Sequence, residues 1–177
     1  FELIGFDACL MGQIEVFGSL YPYSNYMVAS EEVIPGYGWS YAAWLGQLAQ
    51  NLALDGSALS QSIISTYVTN DIALTNGRAS ADEIAREEST TTLSAIESAR
   101  VPDVIGAMNQ FVSAITSIDQ ALVAEARTYT RSYFSLFGEE VSPSFIDLGN
   151  FSEVLTTLTD DPNLQQAAVQ LQTAIAS

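Results

Sequence analysis

Leu3-Ile4-Gly5-Phe6-Asp7-Ala8-Cys9-Leu10-Met11-Gly12 is the stretch on which the fold turns. Leu3 to Ala8 is short, apolar and broken by one charge, which suits a buried strand. From Met11 the pattern changes, and Met11, Ile14, Phe17 and Leu20 recur at helical spacing. Cys9, the one cysteine of the chain, is therefore expected where a strand gives way to a helix. The free N–H groups and positive end of a helix favour thiolate there. In an α/β sheet the carboxyl ends of strands are also where ligands bind. Strand residues two apart share a face, so Asp7 and Cys9 are predicted to project together. A carboxylate beside a thiol opposes its ionisation, which makes Asp7 a poor activator of Cys9. It is better suited to binding a positive or hydrogen-bonding group. A plainer reading exists for the pair: the cysteine packs as a small hydrophobe and Asp7 caps the following helix.

Working outward, Tyr21-Pro22-Tyr23-Ser24-Asn25 reads as a turn, and Tyr26-Met27-Val28-Ala29-Ser30 as a second strand parallel to the first. Ser30, Glu31 and Glu32 follow at its carboxyl end, and then the loop Pro35-Gly36-Tyr37-Gly38. Two glycines around Tyr37 permit a tight backbone path close to a ligand. An ordinary turn before a helix with Ser40 as its N-cap is the simpler alternative. Leaving a strand end next door to Cys9, the loop is better read as a wall of a binding site.

These residues together carry a resemblance. Phe-Asp-Ala-Cys-Leu-Met-Gly (6–12), Ser30-Glu31-Glu32 and Pro35-Gly36-Tyr37-Gly38-Trp39-Ser40-Tyr41 resemble, in order and spacing, the clostripain family of cysteine peptidases, relatives of caspases, legumains and gingipains. The match is specific over roughly the first forty-five residues. It is weaker at Thr92-Leu93-Ser94-Ala95 and Ile146-Asp147-Leu148. The resemblance implies a three-layer α/β/α caspase-like sandwich with a mostly parallel sheet, incomplete at both ends of this chain. It implies that Cys9 is the nucleophile of a peptidase and that peptides or proteins are its substrates. In the family an Asp commonly stands between the two glycines, and with the Asp of Asp-Ala-Cys it receives Arg or Lys side chains. Asp7 matches and Tyr37 departs, so the resemblance implies a basic P1 preference that is weaker than a two-Asp site would give. Ser30 and Glu31 join Asp7 and Tyr37 as expected substrate-binding residues. No cofactor is implied, although calcium dependence occurs in the family; the chain holds no EF-hand-type loop of spaced carboxylates.

Composition narrows the classes further. The chain has 21 acidic residues, five basic ones, no histidine and a net charge of −16. All five basic residues are arginines. Such a surface repels nucleic acid and anionic membranes, whose recognition runs on Lys and Arg. It suits a solvated, extracellular or cell-envelope setting and could attract cationic peptides or divalent cations. No apolar run is long enough to span a bilayer. One cysteine excludes an internal disulfide and a cysteine-based metal cluster.

The absence of histidine weighs most. A cysteine peptidase needs an imidazole to raise the thiolate fraction and protonate the leaving amine. In the resembled family a His-Gly pair on a preceding strand has that part. Residues 1–177 are therefore expected to be a portion of one caspase-like peptidase domain, inactive and poorly stable alone, with the His-bearing segment elsewhere. A catalytically inactive surface or binding domain on the same scaffold is the alternative.

Farther along, Tyr41–Asn51 and the stretch bearing Leu59, Ile63 and Tyr67 are expected to be helical. Ser57 and Ser60 lack nucleophile context and read as caps or surface. Asn70–Ser89 is polar and reads as a loop, with Arg78 and Arg86 as candidate self-cleavage points. A strand is predicted over Thr90–Ile96 and a helix from Pro102 through Ile118. Another helix is predicted through Leu122, Ala126, Tyr129 and Tyr133, then a short strand or turn at Phe145–Leu148. Two last helices carry Phe151, Leu155 and Leu158, and Leu164, Ala168, Leu171 and Ile175.

Overall fold

The computed structural model describes residues 1–34, 38–74, 77, 80–133 and 145–177, with backbone only for 68–74, 83 and 86–88. The chain divides into two compact units, Phe1–Ala99 and Arg100–Ser177, and its class is mixed α/β as expected.

The first unit is built on a sheet. Strand β1 (Leu3–Gly5) leads through a connection to helix α1 (Ile14–Leu20), and a 3-10 turn at Tyr21–Tyr23 returns the chain to β2 (Tyr26–Ser30). β1 and β2 run parallel, with Leu3 beside Tyr26 and Gly5 beside Val28. Helices α2 (Tyr41–Gln50), α3 (Gly56–Leu74) and α4 (Ala81–Thr90) precede β3 (Leu93–Glu97). β3 pairs with the other edge of β2 in antiparallel sense, Ser30 facing Leu93 and Tyr26 facing Glu97. The described sheet is thus mixed, in the order β1-β2-β3.

Its middle strand explains its sequence. Met27, Val28 and Ala29 are fully buried, as an unbroken apolar run between two neighbours must be. α3 lies against all three strands and α2 against α3. The core gathers Val28, Ile34, Trp39, Ile63, Tyr67 and Leu93, with Leu3, Cys9, Trp44 and Ile64 packed on it.

Two expectations change here. Of the stretch expected to be a loop, residues 70–74 belong to α3 and residues 81–89 to α4. Polarity suggests the loop, but Ala, Glu and Arg are strong helix formers, and Ser80 and Glu83 stand at capping-box spacing. The Ile84 N–H donates to the Ser80 carbonyl (3.1 Å), which marks Ser80 as the cap residue. Arg86 therefore lies within helical backbone, a poor shape for a scissile site, while Arg78 lies outside the described residues. Ser60, expected at a cap or on the surface, is buried. Its hydroxyl donates back to the carbonyls of Gly56 (2.8 Å) and Ser57 (2.9 Å).

The second unit is helical: α5 (Val101–Ile115), α6 (Gln120–Tyr129), α7 (Leu148–Leu158) and α8 (Pro162–Ala176). α6 stops at Tyr129, short of Tyr133, because Thr130 is extended. Phe145–Leu148 contributes a single bridge, Ile146 to Ser132. The core is Ala107, Phe111, Ala126, Leu155, Leu164, Ala167, Ala168 and Leu171, with Phe151 edge-on to Phe111 at 6.1 Å. Asp119, Asp147 and Asp161 each cap a helix by accepting a backbone N–H at 2.9 Å.

Candidate functional site

The connection between β1 and α1 holds the two residues of most chemical interest. β1 ends at Gly5 and α1 begins only at Ile14, with Gln13 as its N-cap. Cys9 is therefore not at a helix start, and Asp7 does not cap α1. The connection instead stays tied to β2 and to the residues just past its end. Phe6 N–H donates to the Val28 carbonyl (2.8 Å), Gly12 N–H to the Ser30 carbonyl (2.8 Å), and Leu10 N–H to the Glu32 carbonyl (3.4 Å). Gly12 presses so close that a Cβ there would sit 2.7 Å from the Glu31 nitrogen. Leu10, directly after the cysteine, has φ of 59°, a left-handed conformation unusual for a branched residue. Its side chain is buried, which helps to hold it there.

Cys9 is half-buried at the margin of the core. Its sulfur receives the Ile34 N–H at 3.4 Å and faces the Ile34 carbonyl at 3.7 Å. Ile34 is the last described residue before the glycine-bearing segment in the sequence. Among the described residues, a backbone amide rather than a helix end is the sulfur's hydrogen-bond donor.

Asp7 is held from the other end of that segment. Its Oδ2 accepts the Trp39 N–H (3.0 Å) and the Tyr41 hydroxyl (2.9 Å). Oδ1 is buried and has no hydrogen-bond partner among the described residues. The close approach depends on Gly38, whose φ is +75° and whose absent Cβ would lie 2.5 Å from Oδ2. Burial, and next the hydrogen bond to the Asp7 carboxylate, raise the Tyr41 pKa above its usual value, so the phenol stays a donor through neutral pH.

Ser30 is buried at the end of β2, and its hydroxyl lies 3.0 Å from that of Thr92, which also accepts the Glu32 N–H at 2.8 Å. Glu31 is half-buried beside Gly12. Tyr37 lies outside the described residues. The structure thus brings Asp7, Cys9, Ser30 and Glu31 to the same strand ends. It adds partners that spacing did not reveal: the Ile34 amide, the Trp39 amide, the Tyr41 hydroxyl and Thr92. Trp39 and Tyr41 belong to the family motif, which was the available signal, but only the folded loop shows what they touch. Among the described residues no group of His, Cys, Asp and Glu is arranged to hold a metal ion.

The fold has known counterparts. Residues 1–175 match the Clostripain family. Among solved structures, a clostripain from Bacteroides thetaiotaomicron in complex with a peptide inhibitor superposes with a TM-score of 0.62 at 17% identity, covering 98% of this chain and 65% of that one. A secreted C11 cysteine protease from the same organism, iotapain, gives 0.62 at 17% identity, over 99% of this chain and 40% of that one. An inactive zymogen C11 protease from Parabacteroides distasonis gives 0.61 at 14% identity, over 99% and 42%. The chain thus spans less than two thirds of the length of each of these structures. No curated protein matches it. With the family matched across nearly all its residues and the fold shared, this chain belongs to the clostripain family of cysteine peptidases.

Proposed function

We propose that these residues carry the nucleophile and part of the substrate site of a secreted or cell-envelope cysteine endopeptidase with a modest preference for a basic P1 side chain. The observation that carries this is the setting of Cys9: its sulfur is half-buried against the Ile34 amide, at the ends of two parallel strands. Asp7 stands two residues before it, anchored to the far side of the same loop.

In the proposed reaction the Cys9 thiolate attacks the scissile carbonyl, and the new C–S bond leaves a tetrahedral oxyanion. The family resemblance gives the oxyanion the Cys9 N–H and a glycine N–H as donors. Collapse breaks the C–N bond, and an imidazolium protonates the departing amine. Water, deprotonated by the same imidazole, then attacks the thioester, releasing the acid and restoring the thiol. Residues 1–177 contain no histidine, so the imidazole comes from polypeptide outside them. These residues alone are accordingly expected to be inactive. Asp7 meets the P1 side chain, with Ser30 and Glu31 at the same strand ends. The step needs no cofactor.

The zero histidine count also favours a second reading, a binding domain on a peptidase scaffold. One experiment separates the two. In the full-length protein, Cys9→Ala should abolish hydrolysis of peptides with Lys or Arg at P1, and an irreversible thiol-directed peptide should label Cys9 alone. Turnover retained by Cys9→Ala overturns the mechanism. An unlabelled, inactive parent protein establishes the binding domain instead.

A further inference from the structure

Past Ser30 the chain leaves β2, yet its backbone N–H groups are held one after another. The Glu32 N–H donates to the Thr92 hydroxyl oxygen at 2.8 Å, and the Val33 N–H to Glu32 Oε1 at 2.7 Å. The Ile34 N–H donates to the Cys9 sulfur at 3.4 Å. The Glu32 carbonyl also accepts the N–H of Leu10, the residue after the cysteine. Thr92 stands directly before β3, whose Leu93 pairs with Ser30 at the end of β2. Its hydroxyl lies 3.0 Å from that of Ser30 as well. Residues 32–34 are thus tied on one side to the sheet through Thr92, and on the other they carry the groups that meet Leu10 and Cys9.

What Ile34 does for the sulfur depends on that anchorage. Its N–H points at the sulfur, and its carbonyl faces the sulfur at 3.7 Å. One residue therefore accepts from the thiol and donates to the thiolate. A donor on a thiolate stabilises the nucleophilic form and fixes the direction in which the sulfur points. Such a contact weakens steeply once the donor is misaligned. The Ile34 amide is only two residues from the Glu32 amide, so freeing Glu32 loosens the donor. We propose that Thr92 is a positioning residue for the nucleophile: by holding the Glu32 N–H, its hydroxyl keeps the Ile34 amide on the Cys9 sulfur. The inference rests on the reading above that Cys9 attacks the substrate, and it adds to that reading a residue 83 positions away in the chain. Thr92 acts through Glu32 and Ile34 and need not touch the substrate.

The test compares full-length protein with its Thr92→Val, Thr92→Ser and Ser24→Ala variants. Iodoacetamide probes the sulfur, and a peptide with Lys at P1 is the substrate. The probe is small and needs no substrate site, so its rate at Cys9, followed by mass spectrometry against a Cys9→Ala blank, reports on the sulfur alone. Thr92→Val keeps the shape and removes the acceptor, and the alkylation rate and kcat should each fall about five- to tenfold, the worth of roughly one hydrogen bond. KM should change little, because Asp7 is held by Trp39 and Tyr41 and not by Thr92. Thr92→Ser restores the hydroxyl and should recover both rates. Ser24→Ala breaks a buried hydroxyl pair with Ser98, 3.1 Å apart, just before β2; it should lower stability and leave both rates unchanged. Rates unmoved by Thr92→Val overturn the proposal, as do an equal fall in Ser24→Ala or no recovery in Thr92→Ser. Thr92→Ala is judged in the same way if the valine variant does not fold. Alkylation that follows Thr92 in a protein without turnover sinks the peptidase and leaves the Thr92 assignment standing. Turnover with both rates indifferent to Thr92 does the reverse.

Discussion

Gly38 is the smallest part of the site and the most constrained. Its φ of +75° lies where a side chain adds strain, and the missing Cβ is the space into which the Asp7 carboxylate fits. Gly38→Ala therefore combines left-handed strain of roughly 1–2 kcal/mol with a clash against Oδ2. The expected outcome is a stability loss of about 2 kcal/mol or more in denaturant unfolding. Weakened binding of P1-basic peptides should accompany it, because Asp7 must turn away. Gly77, also at positive φ, has no described residue within 4 Å of the position of a Cβ. Gly77→Ala should show the strain without the loss of binding, and equal effects at both glycines would refute the account. Leu10 illustrates the same economy: a residue at φ 59° beside Cys9 is tolerated because its N–H and buried side chain are both engaged.

At the scale of elements, the strands and the caps are the most legible parts. The apolar run Tyr26–Ser30 reads as a strand parallel to the first, and Asp161 before Pro162 announces α8. Asp161 accepts the Leu164 N–H at 2.9 Å, and Leu164 is fully buried in the helical core. Asp161→Ala should lower the stability of that unit by about 1 kcal/mol, seen as an earlier denaturation midpoint with an unchanged slope. A neutral result would mean that packing of Leu164, Ala168 and Leu171 alone fixes the start of the helix. The polar stretch over 70–89 reads as a loop only when charge is weighed above helix propensity. An early start for α1 is suggested by Met11, which continues the apolar spacing of Ile14 and Phe17 without sharing their backbone. Spacing reports which faces are apolar; it does not report where hydrogen bonding to a neighbouring strand keeps the chain from coiling, as the Gly12 amide does through Ser30.

Across the whole molecule, charge is the dominant sequence property. With a net charge of −16 and five arginines, like-charge repulsion outweighs attraction at long range. The ion pair Arg131–Asp147 at 3.6 Å has its arginine 72% exposed and adds little. Monovalent salt should therefore raise the unfolding temperature as it screens repulsion at distances beyond about 10 Å at 0.1 M. A melting temperature that falls on adding salt would show that attractive pairs outweigh the repulsion. The same field favours approach of cationic peptides, in keeping with the basic P1 preference proposed above. None of the described helices is long and apolar enough to cross a membrane.

By itself the sequence determined the class of fold, the family and the candidate nucleophile, because these rest on local apolar pattern and on a short run of residues at fixed spacing. It also placed Asp7 next to Cys9 along the chain. Only the tertiary structure decided what each of them faces: the Ile34 amide for the sulfur, and the Trp39 amide and Tyr41 hydroxyl for one carboxylate oxygen. Those partners lie 25 to 34 residues away along the chain. They meet because strand pairing and a glycine at positive φ bring Ile34, Trp39 and Tyr41 to the connection after β1, and no local periodicity encodes that meeting.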